Sequence, residues 1–296
     1  MSFRSLNSRM DAVQSAVPFM PKERSSGFRK FFRQLDVIVT LALIFMLLLV
    51  ICSIFAPILA SQDPQTQTLS ARLQPPGESG HMLGADQLGR DVLSRVMYGG
   101  RISLLVAASA VVVAGTLGVV IGLVGGFVGG KVDAFLTWIA NVQLAFPLII
   151  LAVALAAVLG GSTTNVIIIL VVTSWVSYAR LVRAETLSLK QREFVVAAHA
   201  LGATTPRVLL RHLLPNIYKP LLVLAALEVS RMVILEAALS FLGIGVPASV
   251  PTWGSMISEG KEYLEEAWWI STIPGLLLTL TVLSVNVVSD WANDRL

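Results

Sequence analysis

The sequence predicts an all-α integral membrane protein with about six transmembrane helices. Three observations carry this. Mean hydropathy is +0.77 over 296 residues. Charged residues make up only 14% of the chain, against about 25% in ordinary soluble domains. Several charge-free stretches reach the roughly 20 apolar residues that a helix needs to cross a bilayer. A soluble core could not hide this much apolar surface.

The spans follow in order. Val37 to Ala60 is the first. It follows 36 residues and is too long for a cleavable signal core, so it reads as a retained anchor. Ile102 to Gly130 is the second. Ala134 to Ala179 carries no charge over 46 residues, which is too long for one span. The polar run from Gly160 to Asn165 divides it into spans three and four with a tight turn. Pro220 to Gly245 gives span five and Ala267 to Ser289 span six, opened by Trp268 and Trp269 as interface aromatics.

Lys and Arg set the expected orientation. The first 36 residues carry Arg4, Arg9, Lys22, Arg24, Arg29, Lys30 and Arg33. The connection between spans four and five carries Arg180, Arg183, Lys190, Arg192, Arg207 and Arg211. The positive-inside rule places both segments, and the C-terminus, in the cytoplasm. The domain plan is then a cytoplasmic segment at 1–36, a first span at 37–60, an extracytoplasmic loop with an amphipathic helix at 61–101, and a core of five spans at 102–296. That core includes a cytoplasmic connection at 190–216.

The formal net charge of +4 suggests no nucleic acid here, because the basic residues follow the membrane topology. Cys52 stands alone, so no internal disulfide framework is possible. His81, His199 and His212 are scattered and form no metal-ligand spacing. No nucleophile elbow or carboxylate pair marks an enzyme. Gly125 to Lys131 fits a phosphate-loop pattern, but Val132 stands where Ser or Thr would hold magnesium, and no strand precedes it. The glycines have a simpler reading. Gly118, Gly122, Gly126 and Gly130 recur every four residues, a face that lets a neighbouring helix backbone come close.

Residues 190–216 read KQREFVVAAHALGATTPRVLLRHLLPN. Glu193 to Leu201 suits a short helix with an apolar stripe at Phe194, Ala197, Ala198 and Leu201. Gly202 ends or bends it. Thr204 or Thr205 caps a second helix with Pro206 in its first turn, ending at Leu214-Pro215. The result is an elbow bearing small residues, suited to a groove on a partner protein.

This segment resembles the EAA loop of ABC importer permeases. Ala197, Ala198, Gly202, Leu214 and Pro215 match that pattern at its spacing, while Val196 replaces its Glu and His212 its Ile. Leu83 to Arg95 (LGADQLGRDVLSR) is similar to a signature of the dipeptide and oligopeptide branch, with Ala85 for the usual Thr. Read from its residues alone, it is a turn and an amphipathic helix whose Asp91 and Arg95 can pair at i, i+4. Ile234 to Gly245 (ILEAALSFLGIG), with Pro251-Thr252-Trp253-Gly254, resembles another.

The resemblance implies a type I importer permease fold in a bacterial cytoplasmic membrane. It implies a heterodimer with a second permease, two cytoplasmic ATPases that hold ATP and magnesium, and an extracytoplasmic binding protein. This chain itself would need no cofactor and perform no catalysis. Val196, Ala197, Ala198, Leu201, Gly202, Ala203, Leu214 and Pro215 would couple it to the ATPases. The implied cargo is a di- or oligopeptide. The same machine could carry nickel, glutathione, an opine or a sugar.

Glu228, Arg231 and Glu236 lie within span five. A charge facing lipid at mid-membrane costs about 2.5–3.5 kcal/mol, so these residues should face a substrate pathway or the partner permease. Glu228 and Arg231 can neutralise each other at i, i+3. A proton-driven secondary transporter would use Glu236 as its proton site, but the internal repeats expected of such a fold are not evident.

Overall fold

The computed structural model describes residues 36–78 and 80–295. The basic segment expected at 1–36 lies almost wholly outside the described residues. Eleven α-helices organise the described chain: α1 (Val37–Ile54), α2 (Ala56–Leu59), α3 (Val92–Val128), α4 (Gly130–Leu144), α5 (Leu148–Leu159), α6 (Thr163–Leu189), α7 (Glu193–Ala200), α8 (Thr205–Val208), α9 (Leu214–Phe241), α10 (Trp253–Gly260) and α11 (Trp269–Asn293). The only extended pairings among these residues are two isolated bridges, Glu78 with His81 and Ala85 with Asp91.

Helices α1, α3, α6 and α11 are each long and apolar enough to cross a bilayer. The expected third span is not one straight helix. α4 and α5 meet at 89° across a short break. Pro147 lacks an N–H and restricts the residue before it, so the helix stops at Leu144 and restarts after the proline. α9 has 28 residues, long enough to span, but contains Glu228, Arg231 and Glu236. The polar turn expected at Gly160 to Asn165 forms as read. Gly160 closes α5, and the Ser162 hydroxyl accepts from the Asn165 N–H at 3.1 Å to cap α6.

Two boundaries and one exposure differ from the sequence reading. The amphipathic lead-in helix is not separate. It is the first part of α3, which runs 37 residues from its Asp91 cap, so a boundary at residue 101 falls inside one helix. The second elbow helix does not end at Leu214-Pro215. Residues Leu209–Leu213 form a π-helical turn that leads directly into α9. Pro215 cannot donate to residue 211, and the wider turn just before it absorbs that loss. At the start of α11, only Trp268 is exposed. Trp269 is buried, and its indole N–H donates to the Ala85 carbonyl at 3.1 Å.

The central pairing is α3 against α6. A Cβ on Gly118 would lie 2.5 Å from the Tyr178 Cβ, and one on Gly122 2.6 Å from the Ala179 carbonyl oxygen. One on Gly126 would lie 2.9 Å from the Thr186 Cβ. The two backbones can approach this closely only because no side chain stands between them. Gly130 does not share this role. It opens α4, and a Cβ there would meet nothing. Val106, Ala107, Ala110 and Ala114 continue the buried face of α3, and Ile169, Leu170, Val176 and Tyr178 answer from α6.

Overpacking this seam should loosen the whole bundle. Gly122→Val should destabilise the protein by about 1–3 kcal/mol, read as a lower midpoint of thermal unfolding in detergent. Gly115→Ala, whose Cβ would sit 3.5 Å from the Tyr178 ring, should leave the midpoint close to wild type.

Candidate functional site

Two ends of the bundle and one place along α9 hold the chemistry. The elbow comes first. α6 ends at Leu189, and α7 begins four residues later. Val195 enters a cluster with Leu123, Val182, Leu189, Val208, Leu213 and Ile217, with Ala198 and Ala203 packed against it. Lys190 donates to the Gly126 carbonyl at 2.8 Å, fastening the elbow to the end of α3. Nearby, the Arg183 guanidinium holds Asp133 in a two-pronged pair at 2.5 and 2.7 Å, joining α6 to α4.

The bend in the elbow is local chemistry. Gly202 has φ +80°, and the Ala203 N–H reaches back to the Ala198 carbonyl at 3.0 Å. This is a Schellman closure with glycine in the left-handed position. Thr204 stands at the start of α8 in extended conformation, with Pro206 in the first turn. The expected apolar stripe is partly reversed. Val195 is the anchor, whereas Phe194 is 40% and Leu201 88% exposed. Val196, Ala197 and Gly202 are also exposed, Ala198, Ala203 and Leu214 are half-buried, and Pro215 is exposed. Sequence reasoning missed Val195 because it treated the helix as free, whereas α3, α6 and α9 converge beneath it.

The opposite end is closed by a buried ionic knot. Asp86 accepts from the Leu88 and Arg90 backbone N–H groups at 2.8 and 3.0 Å, from Arg90 Nε at 2.6 Å, and from Arg95 Nη1. Arg90 and Arg95 also reach Glu259 of α10, at 2.5 and 2.8 Å, and Gln87 donates to the same carboxylate at 2.9 Å. Arg95 therefore pairs with Asp86 and Glu259, not with Asp91 as its spacing suggested. Asp91 instead caps α3, accepting from the Ser94 N–H at 2.9 Å, and lies 3.1 Å from His81. Burial pushes the Asp91 carboxyl up, but the bonds from Ser94, His81 and Ser61 outweigh it and hold it below its ordinary value. Glu259 behaves likewise: burial raises it, while Arg95, Arg90 and Gln87 bring it below the usual range. Nothing in the sequence spacing joins Glu259 to residues some 170 positions earlier, so only the fold reveals it.

The three charges of α9 separate. Glu236 is fully buried within the chain. It accepts from the Ser240 hydroxyl at 2.7 Å, and Ser103 and Thr252 face the same carboxyl. The sequence reading turned it toward a pathway or partner surface; within this chain it is buried. Glu228 is also buried and receives Arg231 Nη1 at 3.2 Å, the pair that their spacing suggested. The Arg231 side chain is 45% exposed. It lines a cavity of about 240 Å³ with Gln143, Phe146, Leu148, Thr173 and Ser177, where the α4–α5 bend meets α6 and α9.

Comparison with known proteins decides the family. The profile described as "Binding-protein-dependent transport system inner membrane component" matches residues 118–296. The chain belongs to this family. A second profile, the N-terminal TM domain of oligopeptide transport permease C, matches residues 28–76. Among relatives of this inner membrane component, a di/tripeptide transport system permease protein DppC of Pseudomonas aeruginosa (strain UCBPP-PA14) is 39% identical over 86% of each chain. An oligopeptide transport system permease protein OppC of Bacillus subtilis (strain 168) is 37% identical over 86% of this chain and 83% of its own. A solved inward-facing structure of the MetNI methionine ABC transporter shares the fold, with TM-score 0.50, 21% identity, and coverage of 64% of this chain and 93% of that one. The elbow and the seam glycines Gly118, Gly122 and Gly126 fall inside the matched 118–296 region, while the ionic knot joins a segment outside it to Glu259 within it.

The knot gives a pH prediction. Because the folded state holds Glu259 below its ordinary value, the stability it supplies is complete above about pH 4.3. It is lost as pH falls through the lowered folded value. Glu259→Gln should cost about 2 kcal/mol at pH 7, less than a fully buried pair because its side chain is 22% exposed. The gap in unfolding midpoint between wild type and Glu259→Gln should narrow below about pH 4.

Proposed function

We propose that this permease is the membrane-spanning subunit of an ATP-driven importer that moves di- or oligopeptides into the cell. The observation that carries the proposal is the elbow: a short helix rigidly anchored through Val195 and Lys190, bent at Gly202, with Val196, Ala197 and Leu201 left uncovered. An anchored helix with a small, apolar free face fits a groove on a partner. The partner here is one of two cytoplasmic ATPase subunits, which would hold ATP and magnesium. Their closure would push on α7 and be passed to α6 and α9 through the packed cluster beneath it. A second, homologous permease would complete the pathway, and an extracytoplasmic binding protein would deliver cargo.

Peptide cargo is supported by relatives named for di-, tri- and oligopeptide transport. The arginine distribution supports a cytoplasmic elbow and cytoplasmic termini, with residues 61–91 on the outside.

Two experiments test the reading. A cysteine at Gln67, in a Cys52-free background, should react with an impermeant thiol reagent applied to intact cells, and one at Thr204 should not. The reverse labelling would overturn the orientation. At the elbow, Gly202→Ala and Gly202→Asp share the backbone strain of a left-handed position, about 1 kcal/mol, and a Cβ there meets nothing within 4 Å. Only Asp places a charge at the docking face. Gly202→Asp should abolish peptide uptake and co-purification of the ATPases, while Gly202→Ala should retain most of both. Wild-type uptake by Gly202→Asp with ATPases bound would show that the elbow does not couple.

A further inference from the structure

Arg231 is a charged residue of α9 whose side chain the fold leaves 45% exposed. It lies ten residues before the end of α9 at Phe241, about 15 Å along the helix. Ser177 lies fourteen residues into α6, about 21 Å from the same end of the bundle. That the two helix ends coincide follows from Gly161, where a Cβ would sit 3.2 Å from the Gly245 carbonyl oxygen. Counted from that end, Arg231 falls about halfway and Ser177 about two thirds of the way across a hydrocarbon layer about 30 Å thick. A guanidinium at that depth must face protein or water.

Its protein partners occupy only one nitrogen. Nη1 donates to Glu228 at 3.2 Å and to Ser177 at 3.4 Å. Among the described residues, no hydrogen bond uses Nε or Nη2. The remaining edge is a planar fork, the geometry that matches a carboxylate with two parallel bonds. Arg231 borders a cavity of about 240 Å³ whose other polar groups are Gln143, Thr173 and Ser177 and whose walls are Phe146, Leu148 and Leu151. Gln143 is itself held in place, its side-chain oxygen accepting from the Trp175 indole at 2.7 Å. A complete small-molecule site occupies about 300–1,000 Å³. The present cavity is smaller, as one wall of a pathway shared with a second permease would be. The α4–α5 bend supplies that wall, since Gln143 precedes the break and Phe146 lies within it.

We propose that the open edge of the Arg231 guanidinium, supported by Gln143 and Ser177, receives the C-terminal carboxylate of the peptide as it crosses the membrane. This rests on the peptide-importer reading above. The carboxylate is the charge common to every linear peptide, so one arginine can guide cargo of many sequences. Glu228 keeps the empty site neutral, and its single bond at 3.2 Å lets the guanidinium serve both groups. The apolar walls accept side chains without selecting among them.

The test uses the whole importer in cells and two labelled peptides, dialanine and alanyl-glutamate. Arg231→Gln should lower the maximal uptake rate of both peptides about tenfold or more while its second permease and ATPases still co-purify. Arg231→Lys, which keeps the charge but loses the fork, should fall between. A photoreactive phenylalanine at Phe146 should capture labelled dialanine during turnover, and the added Arg231→Gln change should abolish that capture. Undiminished uptake or capture in Arg231→Gln would overturn the proposal. So would loss of the second permease, which would make Arg231 an assembly residue, and a defect confined to alanyl-glutamate, which would assign the arginine to acidic side chains. If the wild-type importer takes up neither these dipeptides nor a labelled tetra-alanine, the cargo reading itself fails. If wild type transports and Arg231→Gln matches it, only the present inference fails.

Discussion

The close approach of α3 and α6 is the constraint on which the rest depends. Gly118, Gly122 and Gly126 remove every side chain that would hold the helices apart, so carbonyls and Cβ atoms of α6 lie where a larger residue on α3 would have to be. In a bilayer, apolar surface alone does not drive helices together, because lipid tails solvate it equally well. Dense van der Waals contact does. Once this pair is set, Val182 and Leu189 of α6 and Leu123 of α3 form the floor on which the elbow rests. Ile169, Leu170 and Met232 join α9 to the same core.

Polar groups then pin what packing alone would leave free to slide. At one end, Asp86, Arg90, Arg95 and Glu259 bind the loop before α3 to α10. The Trp253 indole adds a bond to the Val96 carbonyl at 3.1 Å. At the other, Arg183 and Asp133 tie α6 to α4, and Lys190 ties the start of the elbow to α3. Buried ion pairs contribute little net stability against apolar replacements, but breaking one costs several kcal/mol. They therefore act here mainly as register pins.

These pins give the elbow its mechanical character. A short helix held only by its own backbone bonds would fray. Here Val195 is buried, Gly202 closes the helix end, and the π turn at Leu209–Leu213 carries the chain directly into α9. The exposed face of α7 is therefore backed by side chains of α6 and α9. Arg231 and its cavity lie further along those same two helices, beside the α4–α5 bend.

The sequence by itself determined the membrane class, the helical order and the position of the elbow, because long apolar runs, glycine spacing and turn chemistry act over a few neighbouring residues. The turn at Gly160 to Asn165, the bend at Gly202 and the Glu228–Arg231 pair are local in this sense, and each was legible. What it could not determine depends on which distant surfaces meet. The 89° break at Pro147 was hidden within a charge-free run. Gly130 carried the same spacing as its three predecessors yet begins a new helix instead of packing. Arg95 had an available neighbour in Asp91 but is claimed by Asp86 and Glu259, because α10 folds back over the start of α3. The three charges of α9 could not be ranked by burial from their positions along the helix. Only the tertiary structure separates them, enclosing Glu236 and Glu228 and leaving Arg231 partly open, since burial is set by the helices that surround a residue and not by its own.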